Sequence, residues 1–183
     1  MNFKLANLYV RKGKYGPAIV HFEKSLVTSK VLNGTRDKLV GELYLNLGIA
    51  HDSARNFAKA IKCFDSCIEI GQVTSAKALI CKGIALSKIG ELNEALDSLA
   101  IAIKKTTDPI LQADVHVAKG HVLDMKGENE MAIQNYLSAL SIYRAQPKNE
   151  DIVSNACQDI ANSHLKEQRF DEAQKFADEA FEM

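Results

Sequence analysis

The stretch "YLNLGIAHDSARNFAKAIKCF", residues 44–64, decides the fold. It reads as two helices separated near Arg55 and Asn56, with Gly48 in the middle of the first. An interior glycine costs a helix about 1 kcal/mol against alanine. A residue kept at that cost points to a close approach of two backbones, so the question is whether the arrangement recurs.

It does. Twelve residues after Gly48 stands Ala60, and the same interval joins Gly83 to Ala95 and Gly120 to Ala132. With alanine in place of glycine it joins Ala6 to Ala18 and Ala161 to Ala173. Seven residues beyond the second member comes another small residue: Ser25, Cys67, Ala102, Ala139 and Ala180. A large apolar residue follows each of these: Leu26, Ile68, Ile103, Leu140 and Phe181. Small side chains at a helix crossing let the axes approach while large neighbours fill the remaining space. The chain therefore reads as five helix pairs, each crossing at its small residues.

The breakpoints agree. Gly13, Gly90 and Gly127 stand seven residues beyond the first small residue of their units, where a first helix should end, and Arg55 and Gln168 hold that place in the other two. Pro17 suits the first turn of a second helix, and "TDP" at 107–109 reads as an Asp108 cap before Pro109. "LNGTRD" at 32–37 and "AQPKNE" at 145–150 read as loops between units. The expected helices are 2–12, 17–31, 36–53, 57–70, 74–88, 92–105, 109–125, 129–144, 150–166 and 171–182. There is no alternating β pattern.

These residues resemble the tetratricopeptide repeat. "YLNLGIAH…AIKCF" matches its aromatic, Leu-Gly, Ala and aromatic positions, and "LICKGIAL…ALDSL", "HVAKGHVL…AIQNY", "LANLYV…AIVHF" and "DIANSHL…AQKFA" follow more loosely. The resemblance implies an all-α, right-handed α-solenoid of about five repeats, at 1–31, 36–70, 74–105, 109–144 and 150–183, in a single array over 1–183. The spacings between first small residues, 42, 35, 37 and 41, exceed the usual period of about 34. Units of that length resemble those of Pins-type adaptors, kinesin light chains and axonemal proteins of this family. The first unit starts almost inside a helix, and the last ends with Phe181 and Met183, without a polar capping helix. A segment of a longer protein, or an end covered by a partner, is the expectation.

Composition narrows the function. The 183 residues are 46% hydrophobic and 25% charged, with 23 basic and 23 acidic side chains. That neutrality lacks the basic footprint of a nucleic-acid or anionic-membrane binder. No apolar run is long enough to span a membrane, and the start lacks the form of a secretory signal. Cys63, Cys67, Cys81 and Cys157 read as reduced thiols, which points to the cytoplasm. Cys63 and Cys67 share a helix face, but Cys67 already fills a small-residue position, so no metal site is expected. His21, His51, His116, His121 and His164 are scattered, with His51 and His164 at packing positions. No catalytic motif of the usual kinds appears. A non-enzyme is expected, without cofactor or small-molecule substrate.

The resemblance implies that first helices line a concave groove, facing it three residues before and one after the small residue. Those places hold Phe3 and Asn7, Leu45 and Ile49, Ile80 and Ile84, Val117 and His121, and Gln158 and Asn162. An apolar stripe of Leu45, Ile49, Ile80, Ile84 and Val117 would hold an extended or helical segment of a partner protein, with Asn46 and Lys77 as polar contacts. The competing reading is that adjacent helices bury the stripe. Some family members grip the acidic C-terminal tail of Hsp70 or Hsp90 through a five-residue carboxylate clamp. Asn7, Asn46 and Lys77 match it here, whereas Phe3 and Cys81 stand where two cations belong. The expected function is an interaction scaffold or adaptor. The alternative is a structural subunit of an axonemal, transport or polarity complex that makes contacts through repeat edges or ends.

Overall fold

The computed structural model describes residues 2–71, 74–146 and 150–181. Among these, all regular structure is helical: α1 (Asn2–Arg11), α2 (Tyr15–Asn33), α3 (Lys38–Ser53), α4 (Phe57–Ile70), α5 (Ser75–Lys88), α6 (Leu92–Lys105), α7 (Pro109–Lys126), α8 (Asn129–Arg144), α9 (Glu150–Lys166) and α10 (Phe170–Phe181). The ten helices fall where the repeat pattern places them. At the ends of α2 the chain departs from expectation. The helix begins two residues before Pro17, because proline in a first turn forfeits no intrahelical bond. It also runs on to Asn33, which shortens the following loop. Pro147, Lys148 and Asn149 of the second expected loop, and Met183, lie outside the described residues.

The helix starts and stops have local causes. Asp37 caps α3 by accepting from the Leu39 amide at 2.8 Å, and Asp108 caps α7 through the Ile110 amide at 2.9 Å. The breaks between paired helices share one device. Gly13, Gly90 and Gly127 adopt positive φ (67°, 88° and 79°), and Arg55 and Gln168 do the same at 61° and 59°. The left-handed turn is a property of the repeat position, which two units meet without glycine.

The chain divides into two compact units, Met1–Ser98 and Leu99–Met183, with the division inside α6. In the first, α1 to α4 pack consecutively and α4 packs on α5. Its core joins Ala6, Ala18 and Phe22 to Leu43, Leu47 and Ala50, and then Ala60, Phe64 and Cys67 to Ala78 and Ala85. In the second unit, α7 to α10 pack consecutively. Tyr136, Ala139, Leu140, Cys157 and Ile160 are buried there. The small residues of the pattern lie at the crossings. Ala6, Ala18, Ala60, Cys67, Ala132 and Ala139 are wholly buried.

Gly48 and Gly120 show why. A Cβ on Gly48 would lie 2.4 Å from Phe64 Cε1, and one on Gly120 would lie 2.4 Å from Tyr136 Cε1. The glycine is the seat for an aromatic ring from the second helix of its own pair, and burial of that ring offsets the local helix cost.

Candidate functional site

The first helices present the residues that the repeat register assigns to a binding face. In the first unit these are Phe3 and Asn7 on α1, Leu45, Asn46 and Ile49 on α3, and Lys77, Ile80 and Ile84 on α5. Their surroundings differ sharply. Leu45 and Ile80 are each only 6% exposed, and Leu45 belongs to the core around Phe64. They serve packing, so for these two residues the competing reading, burial of the stripe by adjacent helices, applies. The register position alone does not bury them, since Phe3 and Val117 at the same place are half-buried and Gln158 is exposed. Ile49 is half-buried and Ile84 is 37% exposed, so the positions one residue after the glycine reach solvent. Asn7 and Asn46 are half-buried, and Lys77 is exposed. Asn46 Nδ2 donates to the Glu42 carbonyl at 2.8 Å, which orients the side chain and leaves its oxygen as an acceptor.

The clamp positions are also resolved. Phe3 packs on Phe22 with ring centroids 6.0 Å apart. Burial pushes the Cys81 thiol up to about 11, so it is neutral. Apolar or neutral groups therefore stand where the two missing cations of a carboxylate clamp would be.

In the second unit, Val117 on α7 is half-buried, and Gln158 and Asn162 on α9 are exposed. His121 is exposed but held in a network. Tyr136 Oη donates to Asp124 Oδ2 at 3.2 Å and lies 2.9 Å from His121 Nδ1. One hydroxyl carries one proton, so Nδ1–H is then the donor to Oη. His121 Nε2 faces Asp159 at 3.5 Å, Ser163 donates to Asp124 at 3.0 Å, and Lys166 pairs with Asp124 at 3.0 Å. Burial raises the Asp159 carboxyl above its ordinary range; His121 opposes that shift and Asp124 adds to it. Burial and the Asp124 charge likewise raise the Tyr136 phenol.

Sequence reasoning missed this network, although half of it carries a repeat signal. Asp52 and Asp124 each stand four residues after the glycine of their unit. Lys88 and Lys166 each stand five after the small residue of the next. The pairs form in both places: Lys88–Asp52 at 2.6 Å and Lys166–Asp124 at 3.0 Å. His51 and His164 are buried packing residues, and His164 stacks on Phe176 at 5.9 Å between centroids. Cys67 is wholly buried, and its thiol donates to Thr74 Oγ1 at 3.5 Å.

Consecutive helix pairs with small residues at each crossing, joined by left-handed turns, define an α-solenoid of the helical-repeat class. Residues 1–72 match the sequence model of the tetratricopeptide repeat family. The kinesin light chain-related protein 2 of Arabidopsis thaliana is 24% identical over 170 residues, which cover 93% of this chain and 21% of that protein. The chain thus spans about a fifth of the length of this relative. The crystal structure of MamA is 28% identical, with a TM-score of 0.71 over 97% of this chain and 92% of that one. BtubC from P. vanneervenii shares the fold with a TM-score of 0.87 at 15% identity, over 97% of this chain and 76% of that one. The chain thus carries a tetratricopeptide-repeat match over residues 1–72 and resembles tetratricopeptide-repeat proteins in fold along the rest of its length. Repeat solenoids of this kind generally act as scaffolds that bind other proteins over extended surfaces. Among the described residues no helix is long and apolar enough to cross a membrane.

Proposed function

We propose that this chain is a non-enzymatic, cytoplasmic interaction scaffold whose five helix pairs form one array holding a segment of a partner protein against its first helices. In the first unit the contacts are Ile49 and Ile84 as apolar anchors, with Asn7, Asn46 and Lys77 as polar ones. Leu45 and Ile80 form the floor beneath them. In the second unit Val117 and His121 occupy the same register. The observation that carries this reading is the exposure of Ile84 one residue after Gly83 on α5, with half-buried Ile49 in the same register on α3 and exposed Lys77 about two turns before Ile84. Burying an exposed isoleucine contributes about 1.5–3 kcal/mol before ordering costs. One exposed and one half-buried anchor, with the oriented Asn46 amide and the exposed Lys77 ammonium, suit a short peptide or helix. The neutral groups at the clamp positions weigh against an acidic chaperone tail as the ligand.

The test compares wild type with an Ile49→Glu/Ile84→Glu variant that keeps its helical circular dichroism and melting temperature. Partners are recovered from extract, and the binding segment is then titrated against the purified chain. Loss of affinity in the folded variant supports the groove. Unchanged affinity sinks it and moves binding to the convex face or the loops.

A further inference from the structure

Ala6 and Gly48, the first small residues of the first two helix pairs, are 42 residues apart, where the usual period is about 34. The added length goes into the end of α2, which has 19 residues where α4 has 14, and into the loop after Asn33. Gly48 and Gly83, 35 apart, pack without such an addition. The added segment brings Lys30, Thr35 and Arg36 to Tyr44 of α3. With Ser66 and Glu69 of α4 they line a pocket of about 200 Å³.

The pocket is rich in donors. Lys30 is half-buried, and its Nζ donates to Tyr44 Oη at 2.6 Å and lies 4.9 Å from the centre of that ring. Tyr44 Oη thus acts as an acceptor, and its own proton has no acceptor among the described residues. The ammonium keeps two further N–H groups for other acceptors. The Arg36 guanidinium and the Thr35 and Ser66 hydroxyls make no hydrogen bond among the described residues.

Its charge is one-sided. Two cations face a single carboxylate, that of Glu69. Neither Lys30 nor Arg36 enters an ion pair among the described residues. The acids beside the lining residues in sequence are engaged elsewhere: Asp37 accepts from the Leu39 amide, and Asp65 pairs with Lys82 at 2.6 Å. A pocket below the roughly 300 Å³ of a drug-sized site holds a charged group rather than a whole molecule. A carboxylate offers two oxygens in one plane. A phosphate monoester offers three, in tetrahedral array, with a charge of about −1.5 to −2 at pH 7. Donors drawn from three helices and a loop, a guanidinium fork among them, match the phosphate better.

We propose that the junction of α2, α3 and α4 binds a phosphate monoester, with Lys30 and Arg36 matching its charge and the Tyr44, Thr35 and Ser66 hydroxyls donating to its oxygens. Glu69 opposes that charge and keeps the affinity modest. None of these residues is among the groove contacts, so the site stands apart from the groove reading.

Amide chemical-shift titration of the full chain at constant ionic strength tests this, with inorganic phosphate, a phosphoserine peptide and a sugar phosphate as probes. The expected result is saturable shifts at Lys30, Arg36, Tyr44 and Ser66 with all three. Tighter binding of the peptide assigns the phosphate to a protein segment, and tighter binding of the sugar phosphate assigns it to a small molecule. Equal affinities show that the phosphate group alone is recognised. Lys30→Gln and Arg36→Gln, both checked for wild-type circular dichroism, each weaken binding about tenfold or more, the loss of one charge-assisted hydrogen bond. Glu69→Gln strengthens it, which damage to the fold would not do. The absence of saturable shifts overturns the site. Shifts spread equally over other exposed lysines such as Lys104 and Lys105, or affinities unchanged by these substitutions, overturn it as well.

Discussion

Gly48 lies so close to the ring of Phe64 that a methyl group on its Cα would come within 2.4 Å of Cε1. Phe64 is buried in the core it shares with Ala60, Cys67 and Ala85, so the ring has nowhere to retreat. Gly48→Ala gains about 1 kcal/mol of helix propensity and loses more to overpacking. The expected outcome in urea denaturation is a net loss of about 1–2 kcal/mol. Adding Phe64→Leu, the residue type that unit three carries at this place, recovers part of the Gly48→Ala loss. A Gly48→Ala chain as stable as wild type rules out the close contact.

Gln168 adopts a left-handed conformation (φ 59°) at the position where three other units use glycine. A side chain in that region costs about 1–2 kcal/mol, while glycine adds backbone freedom to the unfolded chain. Gln168→Gly should therefore stabilise by up to about 1 kcal/mol, read as a higher melting temperature. Arg55 is the less clean test, because its guanidinium also lies 5.8 Å from the Phe57 ring centre.

Asp108 accepts from the Ile110 amide at 2.9 Å and begins α7 with Pro109 behind it. Removing the cap with Asp108→Ala should cost about 1 kcal/mol, and Asp108→Asn should retain most of it. Equal losses in the two variants would count against a capping role.

Asp159 has its carboxyl raised above the usual range, first by burial and then by Asp124, with His121 and Lys166 opposing. A raised carboxyl binds its proton more tightly in the folded chain. Its favourable contribution is thus complete below the unfolded value and is lost as pH rises through the folded one. Asp159→Asn, which stays neutral, should melt above wild type at neutral pH. That advantage should shrink as pH falls through the folded Asp159 value. Thermal melts of both chains from mildly acidic to neutral pH decide it, and a difference independent of pH would exclude titration of Asp159 as the cause.

How much of this was legible in the chain varies with the range of the interaction. The Asp108 cap and the turn at Gly127 involve neighbours in sequence, so residue type alone marks them. The Asp124 network draws on α7, α8 and α9, and only its aspartate–lysine pair recurs elsewhere, as Asp52 with Lys88. Tyr136 and Ser163 meet there because they lie on opposite sides of one junction, a relation that no short window contains.

The sequence by itself determined the ten helices, their pairing and the small residues at each crossing. These follow from helix periodicity, and a repeat states them five times over. Only the tertiary structure decided which apolar residues of the first helices face solvent. Leu45 and Ile80 are as hydrophobic as Ile49 and Ile84 and sit on the same helices, yet the first two are buried and the second two are accessible. A hydrophobic side chain is equally suited to a core and to a binding surface. What separates the two is whether a neighbouring helix covers it, and that depends on how the helices pack.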